Sequence, residues 1–360
     1  MAKLTCNRRA IVSTAAAAVG SLAMYPARRL WAADADGPDT KSALVALYKS
    51  LSGQQRKSMC FAWDAKGHGK VPRRLHVSNS WNVSGPKIGS SFYNKEQQQL
   101  IAEVFSSVMS PGWPKKLAQQ VEDDGRSKWG QGQSIGIFGT PQDGRMQLTL
   151  TGFHLTIKAV FDDRSPVAFG GGIAHGHQPS GFDEKVGHPG NIFWYQALAA
   201  NKVYELLDAA QRRRTLVSRG MPYYEFDGKI DRSYCLPDTK YDRPREHDMR
   251  FRAADMIPGL PIAWMSSQQK QATEQTLHAL LEPYRKPYRN QVLDCLKSQG
   301  GLQRCKLVFY KEHDLGDDGQ WDNWRLEGPS FICYWRGAPH VHLWIHVANT
   351  PSVKVTSNFG

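Results

Sequence analysis

From residue 40 onward, apolar residues recur at helical spacing. Leu44, Leu47, Tyr48 and Leu51 fall on one face, and Thr40 is placed to cap the first turn. The spacing returns with Leu100, Ile101, Val104 and Phe105, where Asn94 is the expected cap and Pro111 the stop. A third, short helix is predicted over 115–122. Between the first two, a turn at 67–70 leads into residues 74–83, which alternate as a strand does.

The period then changes. Residues 134–138 and 146–161 read as strands, with Gly139-Thr140-Pro141-Gln142-Asp143-Gly144 as the turn between them. Val167-Ala168-Phe169 reads as a short strand closed by Gly170-Gly171-Gly172. A long helix is expected over 191–213, further helices over 268–284 and 288–298, and strands over 306–311, 330–336 and 340–348. Residues 215–262, rich in Arg, Asp and Pro, carry no readable period. Strands and helices come in runs rather than in strict alternation. That predicts an α+β fold, a single large domain with a mainly antiparallel sheet packed by helices, over residues 41–360.

The first 33 residues follow another logic. Lys3, Arg8 and Arg9 precede a weakly apolar run from Ala10 to Met24, and small residues follow at Ala32, Ala33 and Ala35. This is the order of a cleavable signal, and the adjacent Arg8-Arg9 with a weakly hydrophobic run resembles the twin-arginine type. The run is about 15 residues, short of the ~20 needed to span a bilayer, and no later stretch is long and apolar enough. The expectation is a signal at 1–33, a spacer at 34–40, passage through the twin-arginine export machinery and a periplasmic or secreted product.

Charge adds little. The chain carries +13, and loss of the five basic residues in 1–33 leaves about +8. The basic residues are scattered, Arg212-Arg213-Arg214 being the one tight cluster, so no nucleic-acid partner is expected. Cys60, Cys235, Cys295, Cys305 and Cys333 follow the signal without a CxxC pair, which excludes a thiolate zinc knuckle. Cys295 and Cys305 are the nearest candidates for a bridge.

The chemistry gathers on histidines. In Ala338-Pro339-His340-Val341-His342-Leu343-Trp344-Ile345-His346, strand parity puts Val341, Leu343 and Ile345 on one face and His340, His342, Trp344 and His346 on the other. That second face is either solvent or the floor of a cleft. Imidazoles at i and i+2 are ~7 Å apart along a strand and can converge on one metal, whereas His346 is ~13 Å from His342 and cannot readily join. A third ligand must come from elsewhere. His154 is the first choice, with His175 and His177 of a second His-x-His as alternates, and Asp314, Asp317, Asp318 and Asp322 as oxygen donors. Neutral imidazoles suit copper, iron or zinc.

Other signals are weaker. Asp183, Glu184 and Glu327 have no spacing that marks them as acid or base. Trp129, Trp194, Trp321, Trp324, Trp335 and Trp344 are more readily core than sugar platforms, and Arg325 and Arg336 more readily buried ion-pair partners than anion hooks.

Several segments together resemble the family of exported bacterial and fungal proteins called domain of unknown function 3500. They are Ser50-Leu51-Ser52 through Gln54-Gln55-Arg56, Gln97-Gln98-Gln99-Leu100-Ile101, Gly152-Phe153-His154-Leu155-Thr156, Ala168-Phe169-Gly170-Gly171, His188-Pro189-Gly190-Asn191, Tyr310-Lys311-Glu312 and Pro339-His340-Val341-His342. The resemblance covers roughly residues 41–348 and implies one domain. It implies little about activity. The family pattern has a second His where this chain has Phe153, which leaves His154 alone to be tested.

Three readings stay open. The first is an exported metal-binding protein, a metalloenzyme of redox or hydrolytic chemistry acting on a small molecule or carbohydrate. The second is a metal-free carbohydrate hydrolase or lyase, and the third a non-catalytic binding protein.

Overall fold

The computed structural model describes residues 39–67, 71–125, 127–162, 165–178, 191–217, 251–311, 314, 318–338 and 340–357. Among these, the helices are α1 (Thr40–Ser50), α2 (Gly53–Met59), α3 (Lys95–Val108), α4 (Trp113–Gly125), α5 (Trp194–Glu205), α6 (Ala209–Thr215), α7 (Ser267–Leu281) and α8 (Lys286–Ser298). The strands are β1 (Cys60–Phe61), β2 (His76–Val77), β3 (Ser134–Thr140), β4 (Arg145–Gly152), β5 (Leu155–Phe161), β6 (Ile173–His177), β7 (Leu216–Val217), β8 (Leu260–Pro261), β9 (Lys306–Tyr310), β10 (Asn323–Gly328), β11 (Phe331–Arg336), β12 (Val341–Val347) and β13 (Thr356–Ser357).

Eleven of the strands make one open sheet in the order β1-β3-β4-β5-β6-β12-β11-β10-β9-β7, with β8 also on β9. Only β1 with β3 and β7 with β9 are parallel; every other pair in the sheet is antiparallel. The expected α+β class holds. Two meanders, β3 to β6 and β9 to β12, meet where β6 pairs with β12.

Register assigns the faces. Leu343 pairs with His175 and Trp335, and Ile345 with Ile173 and Cys333, so these side chains share the face that joins the helices in the main core. Trp344 pairs with Ala174 and Tyr334, and with them lies in a second, smaller core on the other face, closed over by Leu75, Val77, Val167, Ala348 and Val355. The histidine face of β12 is therefore neither solvent nor half-wet: His342 is 6%, Trp344 1% and His346 0% exposed.

Local chemistry explains where the structure departs from the periodicity. Asp39, rather than Thr40, caps α1, its carboxylate accepting from the Lys41 and Ser42 amides. Asn94 caps α3 as expected, within a capping box closed by Gln97. Residues 74–83 pair as a strand only at His76–Val77, because much of the rest is anchored by side chains. The Ser78 amide and Trp81 Nε1 donate to Thr156 Oγ1, and the Val83 amide to Thr151 Oγ1. Val167 to Phe169 is not a strand: Phe169 at φ 57 and Gly170 at φ 69 turn the chain left-handed, and the strand follows at Ile173–His177. The long helix expected over 191–213 breaks into α5 and α6, with Asp208 capping the second. β10 was not foreseen as a strand; its Arg325 is the buried ion-pair partner that the sequence suggested, 3.1 Å from Glu327. Cys60, Cys295, Cys305 and Cys333 are free thiols, so Cys295 and Cys305 form no bridge. Cys235, the signal at 1–33 and most of the turn at 67–70 lie outside the described residues.

The meeting of β6 and β12 requires Gly176. A Cβ at this position would run into the Val341 carbonyl and stand 3.1 Å from His342 Cδ2. Gly176→Ala is therefore expected to destabilise the fold by about 1–3 kcal/mol, read as a lower urea midpoint; an unchanged midpoint would mean that the two strands can part at no cost.

Candidate metal centre

The β4–β5 hairpin turns on two residues, Phe153 and His154, between the paired Gly152 and Leu155. His154 takes φ 52, one of two non-glycine residues with positive φ among the described residues. That strained backbone lets its carbonyl accept from the Gly176 amide (3.2 Å) and turns its ring toward β12. His342 lies within β12 and His340 immediately before it.

The three rings converge on their Nε2 atoms. His342 Nε2 is 2.7 Å from His340 Nε2 and 3.1 Å from His154 Nε2. Donor atoms of all three lie within 4.8 Å of one another, with His154 and His342 buried and His340 partly so. Three nitrogens bound at ~2.0–2.1 Å in a tetrahedral site stand about 3.3–3.4 Å apart, a few tenths of an ångström wider than here.

Asp124 fixes the orientation of the ring. Its Oδ2 is 2.6 Å from His154 Nδ1, and a carboxylate accepts, so Nδ1 is the donor and Nε2 is the nitrogen turned inward. Asp124 is itself held, accepting at Oδ1 from Gln120 Nε2 (2.7 Å) and from the Gln178 amide (2.8 Å). It sits in the last turn of α4, where the helix dipole disfavours an acid, and these bonds offset that cost. Arg336 Nη2 lies 3.4 Å from His340 Nε2 and can donate to its lone pair. One proton on His342 Nε2 then has two short contacts to serve, whereas a cation takes all three lone pairs. Burial first, and then the Arg336 charge, push the His340 pKa down to about 2 and that of His342 well below the usual range. Neutral imidazoles with a carboxylate behind one of them are what a divalent metal binds.

Together these distances show that His154, His340 and His342 could hold a metal ion. The pair of ligands foreseen at β12 and the third foreseen at residue 154 do meet. The alternates do not join them: His175 packs on the helix side, its Nδ1 3.2 Å from the Tyr284 hydroxyl and its ring stacked on Phe193. His177 is beside the centre without belonging to the group of three, and the charges of Asp124 and His154 reach it. His346 stays apart, stacked on Phe251. Asp314, Asp318 and Asp322 contribute nothing to the group, and Asp317, Asp183 and Glu184 lie outside the described residues. Glu327 is committed to Arg325. Trp194, Trp324, Trp335 and Trp344 are core, and Trp129 and Trp321 pack against it, so none is a sugar platform. Asp124 escaped the sequence reading; its one signal was an acid where a helix ends.

Comparison with known proteins decides the family. The family described as "Protein of unknown function (DUF3500)" matches residues 34–348. The chain belongs to the DUF3500 family. No curated protein and no solved structure matches it detectably. In this DUF3500 protein Phe153 shares the hairpin tip with His154, 37% exposed and with its ring tilted by 31° to the His154 ring at 4.0 Å between centroids.

Two outcomes are expected. Asp124→Asn keeps the shape but weakens the hold on the His154 tautomer, and should lower metal affinity about 10–100-fold by isothermal titration. The second concerns His175 and His346, whose pKa burial lowers from 6.5 to about 3, the Lys158 charge adding to the effect at His346. Below pH 6.5 the unfolded chain takes up protons there that the folded chain refuses, so stability falls as pH drops toward 4. Each ring should cost about 2 kcal/mol at pH 5 relative to pH 7 in urea titrations, and a flat profile would show that the rings are not buried neutral.

Proposed function

We propose that this is an exported metalloenzyme in which His154, His340 and His342 hold a single metal ion, with zinc as the best fit. The observation that carries the reading is the convergence of three Nε2 atoms, with Asp124 fixing the tautomer of one of them. Three imidazoles with no thiolate and no carboxylate in the group are a donor set of zinc sites that keep one position open. A metal so bound lowers the pKa of its water and makes a hydroxide available near neutral pH, the chemistry of hydrolysis and hydration.

The protein's own groups do the rest. Asp124 holds the His154 ring in place and makes its inward nitrogen a better donor. Arg336, 5% exposed and beside His340, is placed to stabilise negative charge that develops on a substrate oxygen. Phe153 offers an apolar surface at the rim of the centre for the part of a small substrate that does not react. Export follows from Arg8-Arg9 and the weakly apolar run behind them, and the twin-arginine route would let the metal travel inside an already folded chain. No helix among the described residues is long and apolar enough to cross a membrane.

Elemental analysis of protein purified from its native compartment tests the reading. One equivalent of zinc is expected, falling below a tenth of an equivalent in the folded His340→Ala plus His342→Ala variant. Stoichiometric copper or iron would keep the site and turn the chemistry to redox. Metal-free native protein that also takes up no metal on titration would end the proposal.

A further inference from the structure

A second cluster of charge lies on the same face of the sheet as His342, further down β12 and unused by the metal centre. Lys158 in β5 is 0% exposed, and its Nζ has no hydrogen-bond partner. The charged group that acts on it is cationic: Arg74 depresses its pKa, after burial itself, and no carboxylate among the described residues offsets it. Arg74 has its Nε buried and likewise without a partner, while Asp64 and Asp162 balance its charge from their own side. His346 stands across from Lys158. Counting on from the pairs Thr156 with Ala174 and Ile345 with Ile173, the strand between them carries Gly172, which has no side chain and against which Val77 packs.

The backbone draws close at this place. A Cβ on Gly171 would lie 3.1 Å from Lys158 Nζ and 2.9 Å from Leu75 Cδ2, so the amine packs directly against the 170–172 turn. Phe169, the second non-glycine residue with positive φ, introduces that turn; the first, His154, is at the metal centre. Strained backbone of this kind persists where the surroundings over-determine it, often at sites.

An unpartnered ammonium inside a fold costs several kcal/mol, and two like charges side by side add to it. Either the amine stays neutral, or a negative group balances it. We propose that Lys158, Arg74 and the turn at 170–172 form a binding site for an oxyanion, a phosphate, sulfate or carboxylate group, about 13 Å along β12 from His342. Lys158 supplies up to three donors and the direct charge, and Arg74 the Nε donor. His346, kept neutral by burial, adds a ring that does not compete for the anion. The site stands on its own residues and does not depend on metal binding.

Thermal unfolding of the full chain at constant ionic strength tests it, with sodium chloride replaced stepwise by phosphate, sulfate or acetate. At least one of the three should raise the midpoint saturably, by about 3 °C or more, and the one that does so tells a phosphate-like group from a carboxylate. Lys158→Met keeps the stem and removes the amine. It should melt no lower than the wild type and lose the anion-dependent rise. If that variant does not fold, Arg74→Gln gives the same readout and should lose most of the rise. No rise in the wild type beyond the chloride control, or an equal rise in the folded variant, overturns the proposal.

Discussion

The close pairing of β6 with β12 governs everything else in this protein. It joins two antiparallel meanders into one sheet, and it is tight because Gly176 lets the Val341 carbonyl approach where any side chain would collide. The same amide of Gly176 bonds to the His154 carbonyl, so one residue ties the β4–β5 hairpin to the final strand. The sheet seam and the three-histidine centre are thus one construction. A shift of β12 that loosened the seam would also part the imidazoles, which stand within 3.1 Å of one another along the chain of contacts through His342.

Around that seam the polar residues divide by partner. Asp124 with His154, and Glu327 with Arg325, are buried pairs in which each charge or dipole has an answer. Lys158 has none, and the contrast gives it meaning. Buried polar groups are expensive when unpaired, and the Lys158 amine is the cationic one that carries its whole charge on a single such atom. The other side of the sheet is filled by Leu343, Ile345, Trp335 and Trp324 against the helices.

Much of the fold was legible because alternation and helical spacing report burial directly. The helices that pack one face, and strands such as β3 and β12 that bury both, were placed from their apolar rows and caps. β10 was not, because Asn323, Arg325 and Glu327 occupy one of its faces, and a buried ion pair looks like surface in a sequence. The strand expected at Val167 failed for a different reason: consecutive glycines and a left-handed Phe169 make a turn that hydrophobicity cannot foresee. At the centre, His340 and His342 followed from strand parity, and His154 was the first choice for a third ligand, although the hairpin that turns on it was not foreseen. Asp124 could not be found, since nothing in one dimension links the end of α4 to residue 154. Trp194, Trp324, Trp335 and Trp344 are core fill, the reading that large aromatic rings favour from sequence alone.

The histidines of the centre also come from distant parts of the chain. His154 and His342 are 188 residues apart in sequence, one in the first meander and the other in the last strand of the second. Closing so long a loop costs chain entropy before any contact repays it, and neither half holds the full set of donors. Synthesis must therefore pass residue 342, and the two halves must dock, before three imidazoles exist in one place. A nascent chain offers a metal only scattered, solvent-exposed rings. Capture of a metal at these three rings would be the last event of folding, a chemical mark that separates finished molecules from unfinished ones.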